Sequence, residues 1–295
     1  MMALILLIAA TNKMTIKEAF IYTKQQLQKA GIDSPAFDAV YLFEHIFSMG
    51  RKDITLYSDK EITTKDFATL CDCIKRRSNH EPVQYIIGKW YFMGNTYKVS
   101  EGVLIPRDDT EVLVNACIDI LKATKSPCIV DLCSGSGIIA VTLKKEFFDS
   151  KVFAVEKSDI AYSYLCENIR LNDVDVNAIN ADLYDCVNSF DNSVFDLIVS
   201  NPPYIIKDDI QNLDPEVRKE PTMALDGGDD GYDFYKGIIK LWSQKLRPLG
   251  HIAFELGEGQ FEFVSKLLTD AGFTDIKGYM DLGNTVRAVS AVYNP

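Results

Sequence analysis

Histidine is scarce in this 295-residue sequence, and the cysteines form no metal-binding pattern. The three histidines, His45, His80 and His251, lie far apart, and Cys71 and Cys73 form a lone C-x-C with no second pair downstream. Structural zinc sites need four ligands at characteristic spacings, so we expect no metal site. Seven cysteines, an odd number in a chain of this length, indicate a reducing compartment.

Positive charge is also in short supply. The chain has 31 lysine and arginine residues against 42 aspartate and glutamate residues, which gives a formal net charge of −11. Proteins that bind nucleic acid usually present a basic face to the phosphate backbone. We therefore expect no direct nucleic-acid binding. The hydrophobic fraction of 47% favours a globular protein with a sizeable core. We also expect the protein to be a monomer.

No apolar run is long enough to span a bilayer. The opening segment MMALILLIAATNK is apolar, but it is short and lacks both a basic segment and a convincing cleavage site. A more ordinary amphipathic pattern begins at Met14. This favours Met14 as the true start, with residues 1–13 as an addition upstream of it. We expect a cytoplasmic protein.

The pattern changes twice along the rest of the chain. Residues 14–79 carry apolar residues at helical spacing and predict a small N-terminal helical bundle, a module that usually binds a partner or supports a neighbouring domain. Residues 80–105 are rich in aromatic and β-branched side chains around Gly94-Asn95 and predict a β-hairpin linker. Residues 106–295 alternate between strand and helix patterns and predict the catalytic domain.

The third region predicts an α/β fold. Strands that alternate with helices form a mostly parallel sheet with helices on both faces. The last two strands follow each other directly, which adds a closing antiparallel hairpin. This is the plan of the class I S-adenosylmethionine methyltransferase fold, with seven strands. The predicted strands are Cys128–Leu132, Val152–Val155, Asn177–Asn180, Phe195–Ser200, His251–Glu255, Phe273–Tyr279 and Thr285–Val292.

A glycine-rich turn, DLCSGSG over residues 131–137, joins the first of these strands to a helix. Glycine lets the backbone approach a ligand closely, and the helix N-terminus offers free N–H groups. Glu156, about 20 residues later at the end of the next strand, suits an acceptor for ribose hydroxyls. These features fit both a nicotinamide dinucleotide and S-adenosylmethionine.

The carboxylate of Asp131 favours S-adenosylmethionine. It would repel a pyrophosphate, whereas it suits the cationic amino group and sulfonium of the methyl donor. Asp182, after the third strand, is a candidate acceptor for an adenine amino group. A solvated loop aspartate is the alternative at that position.

The sequence Asn201-Pro202-Pro203-Tyr204 follows a buried strand, at the edge where open parallel sheets bind ligands. Asn201 precedes proline and is biased towards an extended conformation. The prolines carry no N–H, so the stretch presents mainly carbonyls. The Asn201 side-chain oxygen and a neighbouring carbonyl offer two acceptors for a planar –NH₂ group, on whose flat face Tyr204 can stack.

Two such acceptors suit methylation of an amide or exocyclic amino nitrogen. An amide nitrogen is a poor nucleophile because its lone pair is delocalised. Holding both N–H bonds directs the lone pair at the methyl group and stabilises the positive charge that develops, and positioning supplies further rate. We therefore predict that Asn201, Pro202, Pro203 and Tyr204 are the catalytic residues.

These residues resemble the protein-(glutamine-N5) methyltransferases that modify peptide chain release factors, the HemK/PrmC-like family. The resemblance extends from about Met14 to the end. The family's usual Pro-Glu after Arg107 is Asp108-Asp109 here. The matching blocks are Glu81–Gly88, Val103–Glu111, Asp131–Gly137, Ser200–Tyr204, Ala224–Gly228 through Gly231, Phe254–Gly257, and Arg287.

The resemblance implies that the chain uses S-adenosylmethionine to methylate the glutamine of the Gly-Gly-Gln loop of release factors. It also implies that Asn201 to Tyr204 hold this glutamine and that the helical bundle of residues 14–79 is a substrate-docking domain, which binds the release factor. Relatives often have an aromatic residue at the position of Leu183, where it can stack on adenine, and this chain departs from them there. The predicted cofactor-binding residues are Asp131, Cys133, Ser134, Gly135, Ser136, Gly137, Glu156, Asp182, Leu183 and Asn201.

The Asn-Pro-Pro-Tyr sequence by itself is not specific for glutamine. Adenine-N6 DNA methyltransferases and some ribosomal guanine-N2 methyltransferases look similar there, and it is the block Glu81–Gly88 that points to glutamine. Two other functions stay open: methylation of an adenine or another nucleic-acid amino group, and a nicotinamide-dependent reaction. A glutamine in a ribosomal protein is a further possible target.

Overall fold

A computed structural model describes residues 14–294 of the chain, so the segment 1–13 lies outside the described residues. Contacts divide the chain into two compact units. The first unit contains the residues up to Gly88 together with 215–219, and the second contains Lys89–Asp214 and the residues from Glu220 onwards. No helix within the described part is long and apolar enough to cross a membrane.

The first unit consists of the helices α1 (Ile16–Lys29), α2 (Pro35–Phe47), α3 (Arg51–Leu56), α4 (Thr64–Ser78) and α5 (Val83–Ile87). α1 begins with a reciprocal cap: Oγ1 of Thr15 accepts from the N–H of Glu18 at 3.3 Å, and the Glu18 carboxylate accepts from the N–H of Thr15 at 2.9 Å. Buried Ala19 and Leu27 lie on one face of α1, as the helical spacing predicts.

Residues 83–87 correct the sequence prediction, which includes them in the β-hairpin linker. They form α5, and the hairpin consists only of β1 (Lys89–Phe92) and β2 (Asn95–Lys98). Pro82 stands at the start of α5, and Gly88 ends it with a φ of +74°. Four of the five residues of α5 are buried. Packing therefore outweighs the β propensity of the stretch.

The strands of the main sheet are β3 (Cys128–Leu132), β4 (Lys151–Glu156), β5 (Val176–Asn180), β6 (Phe195–Ser200), β7 (Leu246–Glu255), β8 (Phe273–Met280) and β9 (Val286–Tyr293). The α-helices of the second unit are α6 (Thr110–Leu121), α7 (Ile138–Glu146), α8 (Asp159–Leu171), α9 (Leu183–Cys186), α10 (Asp233–Trp242) and α11 (Phe261–Asp270).

The sheet has the strand order β5-β4-β3-β6-β7-β9-β8. Neighbouring strands are parallel except at β9, which runs antiparallel to both β7 and β8. The predicted α/β fold with its closing antiparallel hairpin is confirmed.

Helices cover both faces of this sheet. Ile129 of β3 packs in one core with Leu113 of α6, and the next residue, Val130, packs in the other core with Trp242 of α10. Successive side chains of a strand point to opposite faces. Strands buried on both sides have the nearly continuous apolar sequence that parallel sheets require.

The position of β3 in the middle of the sheet creates the site. From β3 the chain moves outwards to β4 and β5 and then crosses back to β6 on the other side. At such a change of direction the loops that follow the two central strands separate and leave a crevice. The carboxyl ends of β3, β4 and β6 bring Cys133, Glu156 and Asn201 to this edge.

Candidate active site

Backbone hydrogen bonds and two left-handed glycines shape the turn after β3. The N–H of Ser134 donates to the carbonyl of Val155 at 3.1 Å, and the N–H of Gly137 donates to the carbonyl of Ser134 at 2.8 Å. Gly135 has a φ of +55° and Gly137 a φ of +84°, a region that favours glycine. A Cβ on Gly137 would lie 2.5 Å from Cδ1 of Leu165, so this glycine also permits close packing.

Glu156 closes the same turn from the end of β4. Its Oε2 accepts from the N–H of Gly135 at 2.8 Å, and its Oε1 accepts from the N–H of Ser158 at 2.7 Å. Burial raises the pKa of Glu156, although the backbone hydrogen bonds lower it. Each carboxylate oxygen can accept a second hydrogen bond. The residue is thus suited to the predicted contact with ribose hydroxyls.

An open cavity lies beside the turn, and its space of about 840 Å³ includes solvent at its mouth. A second, smaller cavity shares part of its wall and adds Ser134 and Ser136. Four predicted site residues, Asp131, Gly137, Pro202 and Tyr204, line neither cavity. The predicted site residues on the wall of the larger cavity are Cys133, Gly135, Glu156, Asp182, Leu183, Asn201 and Pro203.

Asp182 lies on this wall as a paired carboxylate. Its Oδ1 accepts from the N–H of Tyr184 at 2.9 Å, and its Oδ2 lies 2.8 Å from Nζ of Lys157. Burial raises the pKa of Asp182, but the Lys157 ammonium and the backbone N–H outweigh it and the pKa is lowered. Asp182 is therefore a charged acceptor at the cavity, which suits an adenine amino group.

The sequence prediction missed two aromatic side chains on the cavity wall. Leu183 is buried there, and Tyr184 and Phe234 also line the cavity, with ring centroids 6.4 Å apart. Tyr184 could have been found from its position next to Leu183. Phe234 comes from the distant α10, and no local pattern marks it.

Asp131 lies beneath the turn rather than on a cavity wall. It is fully buried, its Oδ2 accepts from the N–H of Ala140 at 3.2 Å, and its Oδ1 has no hydrogen-bond partner within residues 14–294. Burial raises the pKa of Asp131 to about 8. Unless a cation lies nearby, the group is mostly protonated at neutral pH and would repel a pyrophosphate less than the sequence alone suggests. A role in cofactor binding stays a prediction.

The loop after β6 rests on a second glycine-rich segment. The N–H of Ile205 donates to the carbonyl of Leu225 at 2.9 Å, and the N–H of Gly227 donates back to the carbonyl of Ile205 at 2.8 Å. A Cβ on Gly227 would lie 2.7 Å from Cα of Tyr204. The carbonyl of Tyr204 also accepts from Nε2 of Gln260 at 3.1 Å. These contacts hold the backbone directly after the two prolines.

The side chain of Asn201 contacts residues from two other elements. Its Nδ2 donates to Oγ1 of Thr110 at 3.3 Å, at the start of α6. The carboxyl of Glu255, at the end of β7, accepts from the Tyr204 hydroxyl at 3.4 Å. Burial raises the pKa of Glu255 to about 7, against hydrogen bonds from Thr110, Tyr204 and Asn201 that lower it. Hydrogen bonds to the Thr110 hydroxyl and to the buried Glu255 carboxyl thus hold the side chains of this loop.

Comparison with known proteins identifies the family. The model of the PrmC N-terminal domain matches residues 18–88, and the model of the methyltransferase small domain matches residues 109–217. The release factor glutamine methyltransferase of Fusobacterium nucleatum is 36% identical over 277 residues, 93% of this chain and 78% of the relative. That of Clostridium botulinum is 37% identical over 281 residues, 94% of this chain and 99% of the relative. The chain belongs to this family.

Membership of the release factor glutamine methyltransferase family confirms the resemblance drawn from the sequence. The sequence prediction missed two residues that contact the loop of Asn201 and Tyr204. Thr110 and Glu255 stand in the blocks Val103–Glu111 and Phe254–Gly257, which match the family but had no assigned role. Their contribution depends on folding against Asn201, which sequence blocks do not reveal.

A more distant solved structure shares the fold. The hMettl16 catalytic domain in complex with MAT2A 3'UTR hairpin 6 superposes with a TM-score of 0.55 and 14% sequence identity, covering 80% of this chain and 86% of that chain. At this identity the likeness supports the fold alone, which is the methyltransferase sheet described above.

Proposed function

We propose that this chain transfers the methyl group of S-adenosylmethionine to the side-chain nitrogen, N5, of a glutamine in peptide chain release factors. The observation that carries the proposal is the position of Asn201-Pro202-Pro203 at the end of β6, beside the glycine turn, in a chain of this family. Asn201 and Pro203 line the same cavity as Glu156. A substrate amide and a methyl donor would therefore meet there.

The residues on the cavity wall suit S-adenosylmethionine. Glu156 would accept from the ribose hydroxyls and Asp182 from the adenine amino group. Tyr184 and Phe234 would provide an aromatic surface for the flat base. The carboxylates favour a cationic ligand. When bound, the cofactor would supply an electrophilic methyl group on a sulfonium sulfur.

Asn201 and the prolines would prepare the substrate nitrogen. The Asn201 oxygen and a carbonyl of the loop would accept the two hydrogens of the glutamine amide. The nitrogen lone pair would form the new N–C bond while the methyl–sulfur bond breaks and leaves its electron pair on sulfur. The same two acceptors would stabilise the positive charge on nitrogen. The methylated nitrogen would then release one proton to solvent.

The proposed partner is a protein, and the glutamine is that of the Gly-Gly-Gln loop of release factors. The net charge of −11 supports a protein substrate over a nucleic acid, because it would repel a phosphate backbone. A release-factor substrate, which acts at the ribosome, supports a cytoplasmic location for the proposed activity. We propose that the chain acts as a monomer.

Mass spectrometry of purified release factors, incubated with this protein and isotopically labelled S-adenosylmethionine, tests the proposal. We expect one added methyl group on the glutamine of the Gly-Gly-Gln loop. A release factor with that glutamine changed to alanine is the matched control and should gain none. Methyl transfer to RNA or DNA but not to release factors would contradict the proposal, as would binding of NAD in place of S-adenosylmethionine.

A further inference from the structure

The side-chain amide of Asn201 has two different ends, and only one of them suits the proposed substrate. Its Oδ1 accepts hydrogen bonds, whereas its Nδ2 donates them. A glutamine amide brings two N–H donors, so Asn201 must turn Oδ1 towards it and Nδ2 away. In this structure Nδ2 donates to Oγ1 of Thr110 at 3.3 Å. Whatever fixes this orientation contributes to the reaction.

Glu255 can fix this orientation of the Asn201 amide. Its side chain is 2% exposed, its Oε1 accepts from the Tyr204 hydroxyl at 3.4 Å, and Thr110 and Asn201 lie within hydrogen-bonding reach of the carboxyl. Its Oε2 has no partner of good geometry in the part of the chain that the structure describes. A buried carboxyl with one acceptor oxygen still available thus lies next to the loop of residues 201–204.

The direction of the hydrogen bonds follows from the charge on Glu255. A carboxylate accepts hydrogen bonds but donates none. Next to ionised Glu255, the hydroxyl hydrogen of Thr110 points at the carboxylate, and the Thr110 oxygen remains an acceptor. That acceptor favours Nδ2 of Asn201 and leaves Oδ1 for the cavity. If Glu255 is protonated, it can donate a hydrogen bond to the Thr110 oxygen. The Thr110 hydroxyl can then donate to Oδ1 of Asn201 instead.

We infer that Glu255, acting through Thr110, is a positioning residue that keeps the carbonyl oxygen of Asn201 directed at the substrate amide. This inference rests on the proposed function. Neither Glu255 nor Thr110 touches the reacting atoms. Their effect is to suppress the flipped orientation of Asn201, in which an N–H group would oppose the N–H groups of the substrate.

The titratable groups that face Glu255 come from three elements, and a fourth contributes a charge one residue further away. Asp109, at the start of α6, raises the pKa of Glu255 by charge repulsion. Burial raises the pKa of Tyr204, in the loop after β6, and of Tyr235, on α10, so both stay neutral near pH 7. Arg287, on β9, lies 3.3 Å from Asp109. Protonation of Glu255 near pH 7 is therefore not obscured by the tyrosines.

Replacement of Glu255 by glutamine tests the inference. Glu255→Gln keeps the shape of the side chain but adds a donor, so both orientations of Asn201 become available. We expect kcat/KM for methylation of a release factor to fall by about ten- to a hundredfold, the range for loss of a hydrogen bond to a charged group. The Kd for S-adenosylmethionine, measured by calorimetry, should not change. Glu258→Gln, at an exposed position, is the matched control and should keep full activity.

The pH profile separates positioning from a merely structural role. In the unmodified protein kcat/KM should decline as the pH is lowered through about 7, where Glu255 becomes protonated. In Glu255→Gln this decline near pH 7 should be absent, whereas any decline near pH 8, where Asp131 becomes protonated, should remain. Thr110→Val should lose activity as Glu255→Gln does, and Thr110→Ser should restore it because the hydroxyl returns. If the Glu255→Gln variant kept the decline, or if Thr110→Ser stayed as inactive as Thr110→Val, the inference would be overturned.

A parallel measurement on Asn201→Ala distinguishes the two proposals. Loss of activity in Asn201→Ala, together with full activity and an unchanged pH profile in Glu255→Gln, would refute only the positioning role. Full activity in Asn201→Ala would refute the proposed function of the loop itself. Thermal unfolding of each variant identifies any that fails to fold. If Glu255→Gln is such a variant, the comparison of Thr110→Val with Thr110→Ser still tests the inference.

Discussion

Arg77 donates from Nε to Oδ2 of Asp38 at 2.5 Å, and both side chains are buried. The same guanidinium forms an ion pair with Glu216 and donates from Nη1 to the carbonyl of Glu81 at 3.2 Å. Glu216 belongs to residues 215–219, which contacts assign to the first unit although their neighbours in the chain belong to the second. One arginine thus joins three separate stretches of the first unit.

Loss of this arginine should destabilise the protein. In Arg77→Ala the Asp38 carboxyl would stay buried without its cation, and removing one partner of a buried ion pair costs about 3–5 kcal/mol. Urea denaturation at pH 7 measures the free energy of unfolding. Glu216→Gln is the comparison, because the Glu216 side chain is 37% exposed and exposed pairs contribute about 1 kcal/mol or less. Equal losses in the two variants would show that the Asp38 pair is not the dominant one.

Asn201→Ala should remove most activity without unfolding the protein. The variant loses the side-chain acceptor for the substrate amide, and loss of one such group typically costs about 10²–10³-fold in kcat. Turnover with a release factor and the midpoint of thermal unfolding are the two measurements. Asn188→Ala, at an exposed position, is the matched control. Near-normal turnover of Asn201→Ala would contradict the role assigned to the loop.

The free energy of unfolding should depend on pH through Asp131. The pKa of Asp131 is raised from 3.8 to about 8 by burial, so between these values the folded protein binds more protons than the unfolded chain. The free energy of unfolding therefore decreases as pH rises through this window, by at most about 1.4 kcal/mol per pH unit. Above pH 8 this contribution no longer changes.

Asp131→Asn should remove this dependence. The asparagine stays neutral at every pH, so the free energy of unfolding should fall less steeply between pH 5 and pH 8 than in the unmodified protein. Urea denaturation at a series of pH values gives the slope. Asp149→Asn, at an exposed position, should leave the slope unchanged. Identical slopes in all three proteins would show that Asp131 is ionised in the fold.

Gly137→Ala should destabilise the protein more than Gly135→Ala. Both glycines have positive φ, which costs a residue with a side chain about 1–2 kcal/mol. At Gly135 a Cβ would meet nothing within 4 Å, whereas at Gly137 it would lie 2.5 Å from Cδ1 of Leu165. Overpacking of this kind adds about 1–3 kcal/mol. Denaturation of the two variants under one condition tests the order, and an equal cost would show that Leu165 yields freely.

Strand positions could be predicted wherever the chain has a continuous buried apolar run. Cys128–Leu132 and Phe195–Ser200 have the same bounds in the structure as in the prediction. The last parallel strand begins at Leu246 rather than at His251. Pro248 and Leu249, the latter with a φ of +65°, interrupt its pattern, and a register shift lies opposite on the neighbouring strand. This local irregularity interrupts the apolar pattern, so the sequence did not predict a strand over residues 246–250.

The sequence by itself determined the α/β fold, the family and the position of Asn201-Pro202-Pro203-Tyr204 at the end of a central strand. Periodicity and the order of strands and helices are properties of the chain alone, and proline restricts the backbone wherever it stands. Only the tertiary structure decided that Glu255 and Thr110 meet at Asn201, because they lie on different elements, β7 and α6. It also decided the elevated pKa of Asp131 and of Glu255, since the loss of solvent around a carboxyl depends on what folds over it.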